Sequence, residues 1–341
     1  AFKQAKTIYF LSKRMARLFL SVILFVHLND SFRVNHIYKK THLTDQCLSK
    51  RTRAFIQCKD RSKRLLRSFF CIFAFMRLDY YLPSNPSLSL VIQYEHVQAE
   101  GENISVIDRH IPSGYASLVF NSSGRAAIHE EPLIHLPRHF MVVPLFRAVN
   151  IGIYENLDSF IITCKASVLS KLLSLNLSSF KNDFYRRSEN DGLRAIEQKF
   201  IDKKSATDRI AIIEQFFHER GLSDYVPDEI DQLYNLIMEG RGCVPIAEQV
   251  EQFEQSPRYF RQHFIERVGI NAKTLTRIVR VNCLWSMIRK NSAIDFQDMV
   301  FEGGYFDQAH LIHDFKKIVG ETPSYFFKRN LDNVIIISGK V

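Results

Sequence analysis

Beyond residue 240 one order of signals occurs twice: a short apolar-periodic stretch, a turn, a capped start and a longer helix closed by glycine. In the first copy, Ile246-Ala247-Glu248-Gln249-Val250 sets Ile246 and Val250 one helical turn apart, and Phe253-Glu254-Gln255 breaks the pattern. Ser256 then stands at an N-cap with Pro257 at the first helical position, a strong helix start. Phe260, Phe264 and Val268 share one stripe, Gly269 stops the helix, and Arg258, Arg261, Gln262 and Ile265 lie opposite. In the second copy a helix over Asp295–Phe301 leads through Glu302-Gly303-Gly304-Tyr305 into a helix over Asp307–Val319. Gly303 and Gly304 permit the positive φ of a tight turn, and Asp307 is placed to cap. Leu311, Phe315 and Ile318 form the buried stripe, against an outward Phe306, His310, His313 and Lys317. Gly320 closes this helix and Pro323 opens a short final one. Between the copies, residues 272–289 carry Leu275, Ile278, Val279, Leu284 and Ile288 as the apolar positions of a helix about 27 Å long. A short helix, a turn of about three residues and a second helix with a polar outer face have the spacing of a helix-turn-helix.

The chain has 341 residues, 46 Lys+Arg and 36 Asp+Glu, and its net charge of +10 invites a nucleic-acid reading. The excess is local. Residues 1–75 hold 16 basic residues against Asp30, Asp45 and Asp60, whereas residues 76–341 hold 30 basic and 33 acidic ones. The first 75 residues also contain no Gly and no Pro, where average usage predicts about five and about four. Three readings compete for this segment. A signal peptide from Met15 would set Lys13, Arg14 and Arg17 ahead of the apolar run Leu18–Leu28, but no small-residue cleavage site follows in His27-Leu28-Asn29-Asp30. A basic nucleic-acid arm would be unusually rich in Phe, Leu and Ile. The composition favours the third reading, a non-native extension of the reading frame or a disordered segment, ending where Met76 opens an ordinary composition. Six Cys without a C-x-x-C pair exclude a disulfide scaffold and the usual zinc-finger spacings. No apolar run reaches the roughly 18–20 residues of a membrane-spanning helix.

From Met76 onward the texture is that of short strands. Leu82-Pro83-Ser84-Asn85-Pro86 is a turn cluster, and strands are expected over Leu88–Val97, Ile104–Ile111, Ala116–Phe120, Ala126–Ile128, Leu133–Leu136, Phe140–Val143 and Ser159–Cys164. Asn121-Ser122-Ser123-Gly124 reads as a tight connection between two of them. Seven short strands at this spacing indicate an antiparallel barrel or sandwich. After Cys164 the period turns helical, with Val168, Leu169, Leu172 and Leu173 on one stripe and Ile210, Ile213, Phe216 and Phe217 on another. His129, His135 and His139 lack the spacing of a metal site. Residues 76–239 carry a net charge of −6, which argues against DNA contact by this part.

Gly304-Tyr305-Phe306-Asp307-Gln308-Ala309-His310-Leu311-Ile312-His313-Asp314-Phe315-Lys316-Lys317-Ile318-Val319-Gly320-Glu321-Thr322-Pro323 closely resembles the second helix-turn-helix unit of AraC-type DNA-binding domains. Ser256-Pro257-Arg258-Tyr259-Phe260-Arg261, followed by Phe264 and Val268-Gly269, resembles the first. A weaker likeness, from Leu136-Pro137-Arg138-His139-Phe140 through Ser179-Phe180, is to the barrel-type sensor domain that precedes such domains in many bacterial regulators. Two departures stand out. Family members usually have Pro where Ala272 stands, which predicts a different start for the linking helix. They often have Arg where His313 stands, and a neutral His offers one hydrogen bond where Arg grips guanine bidentately.

The fold expected is therefore α+β. A strand-rich, barrel- or cupin-like sensor domain over residues 76–225 precedes an all-α domain with two helix-turn-helix units over 226–331, with a tail over 332–341. The function implied by the resemblance is sequence-specific DNA binding by a bacterial transcription regulator that answers a small-molecule effector. An enzyme with a catalytic barrel and an appended DNA-binding part is the alternative. Arg258, Arg261 and Gln262 suit base edges. Tyr259, Gln308, His310 and His313 complete the expected DNA-binding residues, and Lys316 and Lys317 suit phosphates. The expected partners are double-stranded DNA, an effector, RNA polymerase for an activator and a second copy of the chain. Neither a cofactor, a metal nor a membrane is expected, and the location implied is cytoplasmic. Phe260, Phe264, Leu311, Phe315, Tyr325 and Phe326 are expected in the core, and Cys164, Cys243 and Cys283 as free buried thiols.

Overall fold

The structure is a computed structural model that describes residues 76–83, 90–100, 106–153, 156–180, 185–187, 191–201, 203, 205–290 and 296–330. The expectations for residues 1–75, the Ser84–Pro86 turn, Asp295 and the tail lie outside them. Among the described residues nine strands come first, β1 (Met76–Tyr81), β2 (Val91–Ala99), β3 (Val106–His110), β4 (Ala116–Ser123), β5 (Ala126–Ile128), β6 (Ile134–His135), β7 (His139–Val142), β8 (Val149–Ile153) and β9 (Leu157–Cys164), and a tenth, β10 (Tyr185–Arg187), lies among the helices that follow. They form a six-stranded sheet in the order β1-β2-β9-β4-β7-β10 and a four-stranded sheet in the order β3-β8-β5-β6. Every pairing is antiparallel.

All seven expected strands are present, and β1, β8 and β10 are additional. β8 was masked by Gly152, which reads as a breaker but pairs in register with Ile107 and Ala127. The tight connection expected over Asn121–Gly124 does join β4 to β5, but it is shorter, since Asn121, Ser122 and Ser123 continue β4 and only Gly124 and Arg125 link it to β5. The chain changes sheets at Gly124. β4 runs along β9, and β5 runs along β8. Gly124 has φ +80°, and a Cβ there would lie 2.1 Å from the Asn156 carbonyl oxygen, so this corner accepts only glycine.

Strand alternation sends Tyr94, His96, Phe120 and Phe160 to the outer face of the six-stranded sheet, where helices cover them. These follow as α1 (Ala166–Leu172), a 3-10 turn (Leu177–Phe180), α2 (Asp191–Ile201) and α3 (Ala206–Glu219). Phe200 of α2 stacks on Phe120 at 4.6 Å between centroids, and Ile213 and Phe217 of α3 are fully buried. Arg209 of α3 is the unexpected member of this layer. It is 1% exposed and donates to both Asp158 oxygens (2.8 and 3.2 Å) and to Ser122 Oγ (2.8 Å). His96 Nε2 lies 2.8 Å from the same Asp158. Burial alone would raise the Asp158 carboxyl, but hydrogen bonds from His96 and Arg209 outweigh it and hold it at about 2.

The remaining helices are α4 (Glu229–Glu239), α5 (Ile246–Val250), α6 (Pro257–Val268), α7 (Ala272–Lys290), α8 (Phe296–Glu302), α9 (Gln308–Val319) and α10 (Pro323–Asn330). α4 begins with a capping box in which Asp228 accepts from the Ile230 and Asp231 amides and the Asp231 side chain accepts from the Asp228 amide. One apolar cluster runs without a break from Leu90 to Phe327, so strands and helices share a core. Polar contacts cross the seam as well: Tyr234 Oη donates to the Gly114 carbonyl (2.9 Å) and Asn282 to that of Pro112 (3.0 Å). Among the described residues no helix is long and apolar enough to cross a membrane.

Candidate nucleic-acid interface

The first unit is α5, the turn at residues 251–255 and α6. Ser256 Oγ accepts from the Tyr259 amide (3.2 Å), Pro257 fills the first turn, and Gly269 ends the helix at φ +84°. Phe260, Phe264 and Val268 are buried, with the Phe253 ring 5.1 Å from that of Phe260. That leaves Arg258, Arg261 and Gln262 exposed together, at positions i, i+3 and i+4. Gln262 Nε2 donates to Glu266 Oε1 at 3.4 Å along the same face. Ile265, expected on that face, is half-buried. Tyr259 stands apart from the three. Its half-buried ring stacks on His263 at 4.1 Å. Burial first, then the charges of Glu229 and Asp228, push its hydroxyl upward.

The far end of α6 is fastened down. Arg267 donates to the Ser167 carbonyl (2.6 and 3.0 Å), Ser170 Oγ (3.2 Å), Asp228 Oδ2 (2.7 Å) and Asp231 Oδ1 (3.1 Å). Five bonds from one guanidinium tie α6 to α1 and to the α4 cap. Burial would raise Asp228, but hydrogen bonds from Arg267 and Lys171 hold it below the usual carboxylate range.

The linking helix α7 has 19 residues, about 28 Å of rise. It starts at Ala272 despite the missing Pro, because Asn271 Oδ1 accepts from the Thr274 amide (2.8 Å). Leu275, Ile278, Val279 and Leu284 are buried as expected, and Trp285 with them.

The second unit is α8, the Gly303-Gly304 turn and α9. Gly304 alone of the pair takes positive φ (+64°), and a Cβ there would lie 3.2 Å from Cys243 Sγ. Asp307 Oδ1 accepts from the His310 amide (2.7 Å), and Gly320 ends the helix at φ +90°. Leu311, Phe315 and Ile318 are buried, whereas His310, His313, Lys316 and Lys317 are exposed and Gln308 is half-buried. Beneath the histidines lies Asp314, 2% exposed, which accepts from Arg277 of α7 at Nε (2.9 Å) and Nη2 (2.6 Å). His310 Nε2 and His313 Nδ1 stand 3.6 and 3.5 Å from its two oxygens.

Two core expectations are corrected. Tyr325 is 61% exposed, and Phe327 is buried instead, because α10 turns Pro323, Phe326 and Phe327 inward at i, i+3 and i+4. Cys243 is half-buried, while Cys164 and Cys283 are buried free thiols. Of the three histidines near the strands, His129 and His135 are exposed. His139 is held at about 4, by burial first and then by the Arg138 charge.

Sequence patterns carried no sign of the groups that fix the second unit to the strand-rich part. Arg109 of β3 donates to the Val319 carbonyl (3.2 Å) and to Glu321 (2.9 Å), and the Ala148 amide donates to the Ile318 carbonyl (2.7 Å). These bonds satisfy the open carbonyls at the end of α9. A lone Arg on a strand carries no local signal of such a role.

Residues 250–329 match the model of a helix-turn-helix domain family. No curated protein matches the chain. Among solved structures, the chain is similar to ToxT from Vibrio cholerae (12% identity, TM-score 0.35, covering 75% of this chain and 98% of that one). It is similar also to ToxT from Vibrio cholerae O395 bound to (E)-4-(8-methylnaphthalen-1-yl)but-3-enoic acid (10%, TM-score 0.37, 75% and 99%). The AraC-like transcriptional activator CuxR matches at 11% identity and TM-score 0.23, over 78% of this chain and 89% of that one.

Proposed function

We propose that this chain, an AraC-type helix-turn-helix transcriptional regulator by its C-terminal region, reads an operator with both units at once and answers a small molecule through its strand-rich domain. The family model covers residues 250–329, and this reading gives the strand-rich part effector binding and not catalysis. What carries the reading is the pairing of two capped helices, α6 and α9, each with a polar exposed face, on one 19-residue helix. Successive major grooves on one side of a duplex lie about 34 Å apart. A linker of about 28 Å plus the width of the two units suits that spacing.

In this reading Arg258, Arg261 and Gln262 meet base edges in one groove. Gln308, His310 and His313 meet the next with weaker single contacts, Lys316 and Lys317 meet phosphates, and Tyr259 supports the flank of α6. Domain limits at 76–225 and 226–331 follow, as do action in the cytoplasm, contact with RNA polymerase at activated promoters and pairing of two copies on the operator. In this reading the effector sits between the two sheets. There Gln93, Glu95 and Thr163 are buried and joined, with Gln93 Nε2 and Thr163 Oγ1 donating to Glu95 Oε1 at 3.0 and 3.3 Å.

The test is selection of genomic fragments by the full chain, followed by footprinting. Two protected patches about one helical turn apart are expected, with affinity falling steeply as salt rises. Binding without sequence preference or salt dependence would overturn the reading.

A further inference from the structure

Phe306 occupies the position just before the Asp307 N-cap of α9. An apolar residue there ordinarily folds back on the fourth helical residue as a hydrophobic staple. That residue is Leu311, which is fully buried, yet Phe306 is 92% exposed. The staple is therefore not made. Its neighbour Tyr305 goes inward instead, 6% exposed, with its ring 5.3 Å from His310 and under the Arg280 guanidinium at 5.7 Å. With Tyr305 anchoring the turn, the phenyl of Phe306 is directed away from the fold, just ahead of the helix that carries the exposed His310 and His313.

We infer that Phe306 is a base-reading residue of the second unit and recognises the C5-methyl group of a thymine. The inference rests on the DNA-binding reading above. Recognition helices lead into the major groove with their N-terminal residues, which is where Phe306 stands. A phenyl group offers phosphates and polar base edges nothing. The thymine methyl is the one apolar feature in the major groove, and Phe is among the side chains that contact it. The assignment also explains how a helix with His where relatives carry Arg discriminates bases: part of its readout is apolar. Phe301 supplies an internal control. It is 86% exposed but sits on α8, the helix that crosses the backbone rather than entering the groove.

The experiment uses the full chain and a duplex chosen by selection. Each thymine in the patch of the second unit is replaced in turn by deoxyuridine, which removes only the methyl. One replacement is expected to weaken binding about three- to tenfold, the scale of one buried methyl and its contacts. Phe306→Ala should weaken the thymine duplex by a similar factor and bind the thymine and uracil duplexes alike, whereas Phe301→Ala should keep the full methyl dependence. Phe306→Leu should retain part of it. If Phe306→Ala pays the same uracil penalty as the parent chain, the inference is overturned while the DNA-binding reading stands. The same holds if the variant binds DNA unchanged but fails to activate transcription, since the phenyl would then meet a protein. A complete lack of salt-sensitive DNA binding by the parent chain would sink both.

Discussion

The two helix-turn-helix units share one frame and are anchored in opposite senses. Each has a side-chain oxygen at its N-cap, a buried apolar stripe and a glycine at positive φ behind it. In the first unit the recognition helix supplies the cation, Arg267, and its neighbours supply Asp228 and Asp231. In the second the recognition helix supplies the anion, Asp314, and the linking helix supplies Arg277. The exposed faces differ in turn: two guanidinium groups and an amide on α6, two imidazoles and two ammonium groups on α9. Helix frame, anchor and reading face are thus separable. A repeated frame does not imply a repeated anchor or a repeated readout.

The largest expected effect is at the first anchor. Arg267→Ala would leave Asp228 and Asp231 without their shared cation, Asp231 being 1% exposed, at a cost of about 3–5 kcal/mol by urea denaturation. Arg277→Ala breaks a single pair and should cost less, about 2–3 kcal/mol in the same measurement. Equal losses would mean that the count of anchored carboxylates does not matter.

On the reading faces, Arg258→Ala or Arg261→Ala should cost about 1–3 kcal/mol of DNA affinity and relax base preference in one patch. His313→Ala should cost below about 1 kcal/mol, and Lys317→Ala should weaken all sequences alike. Footprint titrations with the four variants check this. If His313→Ala is the most damaging and both arginines are silent, the specific half has been assigned to the wrong unit.

The smallest effect is a pH dependence of the first anchor. The folded Asp228 carboxyl lies below its ordinary value of 3.8, so its contribution is complete above that pH and fades as pH falls below it. Asp228→Asn should therefore destabilise the chain more at about pH 5 than at about pH 3. An unchanged difference between the two would remove the ion pair from the account of the anchor.

Much of the second half was legible locally because its signals are local. Ser256, Pro257 and Gly269 bound one helix, and Asp307 and Gly320 bound the other, since caps and left-handed glycines act within a turn or two of sequence. Tyr325 was misread for the same reason. In the short helix opened by Pro323, the residue type suggested burial, but the direction in which α10 docks decided for Phe327. β8 was missed because a glycine inside a strand looks like a break until its partners are known.

By itself, then, the sequence determined the order of strand-rich and helical parts, the helix ends of both units and the exposed polar faces of α6 and α9. Each of these depends on residues a few positions apart. Only the tertiary structure decided that β4 and β5 part company at Gly124, that Arg209 is buried against Asp158, and that Arg109, Arg267 and Arg277 hold α6 and α9 in place. Those partners lie far apart in the chain, and an isolated arginine carries no mark of the carboxylate or carbonyl that it will meet. Their meeting is set by how whole sheets and helices pack, and no local pattern encodes that.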